Sequence, residues 1–355
     1  MRRGGLVRNA SRCPPPKAAI AVCLLGAALT AAQEPKFSAD VNVVNILANV
    51  FDQRGALVET LAKHDFVVED NGQRQDIRYF SKQSELPLTL GLLVDTSGSM
   101  TRMRREEHDA SMNFLKQVLR PKHDRAFVMD FDEQVRILEP FTSSRRRLDA
   151  ALSHLTPYQW RRLVRTSGGA FAPEGRTTAL FDAVYVASEA LMKNQHGRKA
   201  LVVLSDGMDI QSEYTLADAV AAAQGAETLV YAIYIYDPVI DSLTVQLSPP
   251  VSGKDPQSPT GFSKRDTAAR EVLNKGRDAL SRICRETGGR LFEATDDDSM
   301  SRIYGRIQAE LRSQYSLGFV QNDALLKPGF HKLRVSTVES GLTVQARDGY
   351  YAAKR

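Results

Sequence analysis

The sequence predicts an α/β protein: a doubly wound, mostly parallel sheet flanked by small amino-terminal and carboxyl-terminal antiparallel β modules. Three observations predict it. LTLGLLVD (88–95) and KALVVLSDG (199–207) are continuous apolar runs of the kind that strands buried on both faces require. Between such runs lie stretches with helical spacing of apolar residues, EEHDASMNFLKQVL (106–119) and TTALFDAVYVASEALMK (177–193), and this alternation implies a parallel sheet wrapped by helices. At both ends of the chain the helical spacing gives way to short alternating segments broken by Asn71-Gly72, by KPG (327–329) and by ESG (339–341).

The elements follow in order. Residues 37–80 read as strands and turns, with a hairpin at Asn71-Gly72, a pair that tolerates positive φ at both central turn positions. After Leu86-Pro87 come the strand 88–95, a helix through 106–119, and strands in DRAFVMDFD (124–132) and QVRILEPF (134–141). SSRRRLDAALSHL (143–155) opens on serines that suit a helix N-cap. The long helix at 177–193 leads to the strand 199–207, a helix in TLADAVAAAQGA (215–226) and a strand in TLVYAIYIY (228–236). KGRDALSRICRETGG (275–289), RLFEA (290–294) and SMSRIYGRIQAELRSQY (299–315) give helix, strand, helix, and β texture resumes to the end. The expected organisation is a targeting segment at 1–32, a β module at 33–86, an α/β domain at 87–315 and a second β module at 316–355. Gly-, Pro- and Ser-rich insertions near 156–176 and 237–266 are long for connections in a compact domain.

Composition bounds the function. The chain has 355 residues, 43% hydrophobic and 25% charged, which supports a sizeable core. Of the net charge of +5, much comes from Arg2, Arg3, Arg8, Arg12 and Lys17, so no nucleic-acid role follows from it. The same basic stretch precedes the apolar run AAIAVCLLGAALTAA, which is short for a membrane span and ends at Ala32, where a signal peptidase cut fits. A secreted, periplasmic or cell-envelope protein without a stable membrane span is expected. Removal of Cys13 and Cys23 with that segment would leave Cys284 as the one cysteine, so no internal disulfide forms and Cys284 reads as a core residue. His64, His108, His123, His154, His196 and His331 form no motif and read as surface residues.

The chemistry lies where the apolar runs end. In an open parallel sheet, ligands bind beyond the carboxyl ends of the strands. Asp95, Ser97 and Ser99 leave one strand there, Asp206 leaves another, and Thr177 and Thr178 open a helix. This all-oxygen donor set suits a hard cation such as Mg²⁺ or Mn²⁺, and the lack of nearby Cys or His disfavours soft metals. Asp95 and Asp206 are the carboxylates placed in the site; Asp209 is expected to cap or orient. A phosphoryl-transfer enzyme with Asp95 as nucleophile would need an acid two residues on, where Ser97 stands, and a serine-hydrolase elbow would need glycines around Ser97. The remaining alternative is a structural envelope protein with a vestigial metal site.

DTSGS (95–99), then TTALFDA, then VVLSDGMD resembles the metal-ion-dependent adhesion site of von Willebrand factor type A domains, whose pattern is Asp-x-Ser-x-Ser, a distant Thr and a distant Asp. The resemblance covers 87–315, and the flanking segments resemble bacterial exported proteins of the same kind. It implies metal ligands Asp95, Ser97, Ser99, Thr178 and Asp206, with Thr177 the competitor for Thr178 because an insertion lies just before it. It further implies a binding protein, not an enzyme, whose cation takes an Asp or Glu carboxylate from a partner protein. SRRR (144–147) and WRRLVR (160–165), with Trp160, are expected as a partner surface near the site or as solvated segments.

Overall fold

The structure, a computed structural model, is described over residues 43–82, 86–97, 105–155, 178–235, 264–295, 299–321 and 328–352. The targeting segment, Ser99, Thr177, Trp160 and nearly all of both insertions lie outside these residues.

A six-stranded sheet carries the α/β part. Its strands are β5 (Leu88–Asp95), β6 (Arg125–Phe131), β7 (Val135–Thr142), β8 (Arg198–Ser205), β9 (Leu229–Ile235) and β10 (Leu291–Ala294). They lie in the order β10-β9-β8-β5-β6-β7, with every pairing parallel except β6 with β7. All eight residues of β5 and of β8 are buried, as their uninterrupted apolar runs require.

Side chains alternate across β5. Leu90, Leu92 and Val94 pack on one face with α1 (Arg105–Val118), α2 (Arg145–Ser153) and α6 (Met300–Arg312). Leu93 packs on the other with α3 (Leu180–Val186), α4 (Leu216–Gly225) and α5 (Lys264–Thr287). Each fully buried Leu or Val contributes about 1.5–3 kcal/mol, so these two clusters hold the sheet in place. The expected serine cap is present, Ser144 accepting from the Arg147 amide, and Thr215 and Asp218 add a reciprocal capping box at the start of α4. The helix predicted at 177–193 is α3 continued by a π-helical turn at Ala187–Met192, and α5 begins eleven residues before the predicted Lys275.

The antiparallel segments flank this core in an arrangement that sequence alone did not specify. β1 (Val43–Phe51), β4 (Ile77–Lys82), β11 (Tyr315–Val320) and β13 (Thr343–Ala346) form one sheet, ordered β13-β1-β11-β4. β2 (Phe66–Asp70), β3 (Gln73–Gln75), β12 (Gly329–Thr337) and β14 (Gly349–Ala352) form the other, ordered β14-β12-β2-β3. Each sheet thus draws strands from both ends of the chain, and Ile46, Val50, Phe66, Val68, Tyr315, Leu317, Phe319, Leu333 and Tyr350 fill one core between them. The Asn71-Gly72 hairpin forms as expected, with φ of 49° and 80° and Asp70 opposite Gln73. Buried Arg347 fastens these sheets to the α/β core through the carbonyls of Asn45 (2.7 Å) and Gln224 (3.3 Å).

Two side chains depart from expectation or meet it in instructive ways. His331 is not a surface residue: it is 7% exposed, with Nδ1 3.0 Å from Asp70, beside the Tyr350 hydroxyl that donates to the same carboxylate at 2.8 Å. Cys284 is a buried free thiol in α5, and burial pushes its pKa up, so it packs rather than reacts. Among the described residues, no helix is long and apolar enough to cross a membrane.

Candidate metal centre

β5 and β8 are neighbours, yet the chain leaves them toward opposite faces, β5 into α1 and β8 into α4. In open parallel sheets, ligands bind at the carboxyl edge where successive connections go to opposite faces. Asp95 ends β5 at that edge and Asp206 follows β8 directly.

Asp95 is 1% exposed. One carboxylate oxygen accepts the Ser97 amide at 2.9 Å and the other accepts the Ser205 hydroxyl at 2.6 Å. Burial, then the nearby charge of Asp206, raises its pKa to about 7, while hydrogen bonds from Ser205 and Ser97 pull the other way. Ser97 and Asp206 are equally enclosed, and Asp206 turns its loop by accepting the Met208 amide at 3.0 Å. Two buried carboxylates set against each other, with hydroxyls beside them, form a donor set that a small hard cation satisfies: it supplies the positive charge that burial and mutual repulsion call for.

Thr178 reaches the same edge through the backbone. Its carbonyl accepts from the amides of Ile210 (3.0 Å) and Gln211 (3.3 Å), beyond Asp206, and the next amide, of Ala179, donates to the Asp132 carbonyl at 2.9 Å. Buried Thr178 is thereby held between the β6–β7 turn and the loop after β8. Asp209 caps as expected: it accepts the Phe181 amide at 3.2 Å and the Ser212 hydroxyl at 2.5 Å, at the start of α3.

Three contributions were missed in the sequence. Ser205 stood one place before the noted aspartate, at the polar end of an apolar run, and only its alignment beside Asp95 reveals a role. Asp95 and Asp206 are not the only carboxylates here: buried Asp130 and Asp132, at the end of β6, reach the same edge. Arg136 of β7 grips both, at 3.1 and 2.6 Å to Asp130 and 3.0 and 2.7 Å to Asp132, and Thr96 approaches Asp130 at 3.5 Å. The guanidinium offsets one of the two charges of this second pair and steadies the turn whose carbonyl holds the backbone next to Thr178. Finally, Gly207 has φ +77°, and a Cβ there would lie 2.3 Å from the Gly276 carbonyl of α5, so a glycine-to-glycine contact seats the Asp206 loop on a helix far away in sequence.

The arginines of 144–147 do not border the site. β7 runs antiparallel to β5 and brings Thr142 beside Ala126 at the start of β6, so α2 begins at the opposite edge of the sheet. There Arg147 pairs with Glu139 at 2.5 Å and Arg145 donates to the Lys116 carbonyl at 2.8 Å. WRRLVR (160–165) lies outside the described residues. Also among the described residues, no group of three or more His, Cys, Asp or Glu is arranged to hold a metal.

The raised pKa of Asp95 gives a pH dependence with an unusual sign. Below about pH 4 the carboxyl is protonated in both folded and unfolded chains; between there and about 7 the folded chain binds more proton, so stability without metal falls as pH rises through that window. In chelator, the stability advantage of Asp95→Asn over wild type is expected to grow from pH 5 to pH 8, measured by denaturant unfolding. An advantage independent of pH would contradict this electrostatic account.

Residues 90–208 match the family model described as the von Willebrand factor type A domain. The matched span holds Asp95, Ser97, Thr178 and Asp206. Solved structures similar to the chain include an aerotolerance-related membrane protein from Bacteroides fragilis (18% identity, 63% of this chain and 98% of that one, TM-score 0.40). They also include BatB from Bacteroides thetaiotaomicron (17%, 63% and 97%, TM-score 0.37). A third is proximal thread matrix protein 1 from the mussel byssus with a zinc-occupied MIDAS motif (15%, 69% of this chain and 50% of that one, TM-score 0.42). The chain thus spans about half the length of the mussel protein. No curated protein matches the sequence.

Proposed function

We propose that the chain is an exported binding protein that holds Mg²⁺ or Mn²⁺ through Asp95, Ser97, Ser99, Thr178 and Asp206 and uses it to capture an acidic side chain of a partner protein. The observation that carries this reading is the buried pair Asp95 and Asp206 at the ends of adjacent central strands, with the Ser205 and Ser97 side chains beside Asp95. A bound cation would supply a Lewis-acidic position open to an external carboxylate. The protein's own part is to fix the donors: Ser205 and the Ser97 amide orient Asp95, the Gly207–Gly276 contact seats Asp206, and the Asp132 carbonyl holds the backbone beside Thr178. Hydroxyls and carboxylates so engaged form an all-oxygen donor set, which supports capture of a carboxylate through a bound cation. Residues 1–32 would direct export to the periplasm, envelope or medium, and the partner would be met there.

The reading predicts metal-dependent association. Binding to an envelope protein should vanish in chelator, return with Mg²⁺ or Mn²⁺, and fail when one acidic residue of that protein is replaced by its amide. Phosphatase or esterase turnover that disappears in Asp95→Asn would move the protein to the enzymes instead.

The threonine register has its own test. Thr178→Ala is expected to weaken Mg²⁺ binding in calorimetry by roughly tenfold or more, the worth of a hydrogen-bond-strength contact to a charge. Thr177→Ala should change affinity little and stability by no more than about 1 kcal/mol. The reverse order would assign the ligand to Thr177.

A further inference from the structure

At the opposite end of β5, about 23 Å along the strand from Asp95, a cavity of about 290 Å³ is lined by Leu88, Val118, Leu311, Arg120, Arg198 and Arg312. The walls come from the start of β5, the start of β8 and the ends of α1 and α6. Three guanidinium groups around one small space is a costly arrangement unless negative charge meets them.

The described neighbours account for only part of that charge. Asp124 is committed to Arg120, at 3.1 Å, and to the amides of Leu88 and Arg120 at 2.8 and 2.7 Å. Arg198 and Arg312, by contrast, are held by backbone carbonyls: Arg198 by Leu86 at 3.2 Å and by Leu311, Arg312 by Gln117 at 2.6 Å. Leu311 and Gln117 close α6 and α1, so these contacts also cap two helix carboxyl ends, whose partial negative charge offsets less than a full unit each. Arg198 is only 3% exposed, and burial, followed by the neighbouring charge of Arg120, lowers its pKa while Asp124 works against this.

We propose that this cavity binds a small oxyanion, a phosphate or carboxylate group carried on a molecule with an apolar portion. Planar guanidinium forks match the paired oxygens of either group, and Leu88, Val118 and Leu311 offer an apolar wall to the remainder. A phosphate group alone leaves part of the cavity unfilled, so an aryl or alkyl phosphate or carboxylate fits better than the bare inorganic ion. The site is separate from the metal centre and independent of the function proposed for it.

The test uses the full chain in chelator, so that phosphate cannot act through a bound cation. Inorganic phosphate, phenyl phosphate and benzoate are titrated calorimetrically at ionic strength matched with sodium chloride, with melting temperature followed in parallel. Phenyl phosphate is expected to bind more tightly than inorganic phosphate and to raise the melting temperature above the chloride control. Benzoate at least as tight as phenyl phosphate would make the group a carboxylate; the opposite order would make it a phosphate. Arg312→Gln, at an exposed helix end, should fold and lose about tenfold in affinity, and Arg198→Met should lose at least as much. If Arg198→Met does not fold, Arg312→Gln still decides. Asp95→Ala should bind as wild type does. No heat beyond the chloride control for any of the three anions, or wild-type affinity in Arg312→Gln, would overturn the proposal.

Discussion

Asp95→Ala is expected to abolish the thermal stabilisation that Mg²⁺ gives the wild-type protein. A cation that binds only the folded chain stabilises it by about 2.7 kcal/mol at one hundred times its dissociation constant, which for a domain of this size is a rise of roughly 5–10 °C. The variant should show no rise. It should nevertheless fold, and in chelator at pH 8 it should be no less stable than wild type, because the carboxylate it lacks is buried against Asp206 and unfavourably charged there. That combination distinguishes loss of the site from loss of the fold. A wild-type metal response in Asp95→Ala would remove the proposed centre from this edge of the sheet.

Gly207→Ala carries the second large effect. An alanine at φ +77° costs about 1–2 kcal/mol in backbone strain, and its Cβ, placed 2.3 Å from the Gly276 carbonyl, would push α5 off the loop at a further cost of about 1–3 kcal/mol. The expected result is a marked fall in the unfolding midpoint together with weakened Mg²⁺ binding, since Asp206 rides on the displaced loop. Gly276→Ala attacks the same contact from the helix side, where its Cβ would lie 2.8 Å from the backbone of Gly207. It should destabilise although alanine is the better helix former. Gly305→Ala is the control: no atom lies within 4 Å of its Cβ position in α6, so helix propensity acts alone and should stabilise by about 0.5–1 kcal/mol. Three glycines of equal composition value thus differ in sign and size. If Gly207→Ala and Gly305→Ala behaved alike in equilibrium unfolding, the loop-to-helix contact would not hold the site.

Much of this molecule was legible in its one-dimensional pattern, because the pattern is itself a record of burial. LTLGLLVD and KALVVLSDG are apolar at nearly every place because helices cover both faces of their strands, and the two core clusters on β5 are that fact in three dimensions. Asn71-Gly72 announced its hairpin since few other pairs adopt positive φ at both positions. Ser144 acts within three residues of itself, and capping at that range is a chemistry that sequence can display. Asp95, Ser97 and Asp206 stood out for the related reason that oxygen-bearing side chains are unexpected where a buried strand ends.

What the tertiary structure alone decided depends on partners distant along the chain. The β segments at the two ends read as separate modules, yet β1 lies between β11 and β13, and β2 between β12 and β3, because each segment is too short to bury its own apolar face without strands from the other. MDFDEQVR gave no sign that Arg136 would close on Asp130 and Asp132, which requires the antiparallel turn of β7 back along β6. The same reversal carried the arginines of 144–147 away from the candidate centre. Nothing in KGRDALSRICRETGG singles out Gly276, whose role appears only where α5 lies against Gly207. Local composition therefore determined the elements, their caps and the kind of atoms at the candidate centre. Which strands pair, which charges are neutralised and where two backbones touch were set by packing, whose contacts join residues that a periodic pattern cannot relate.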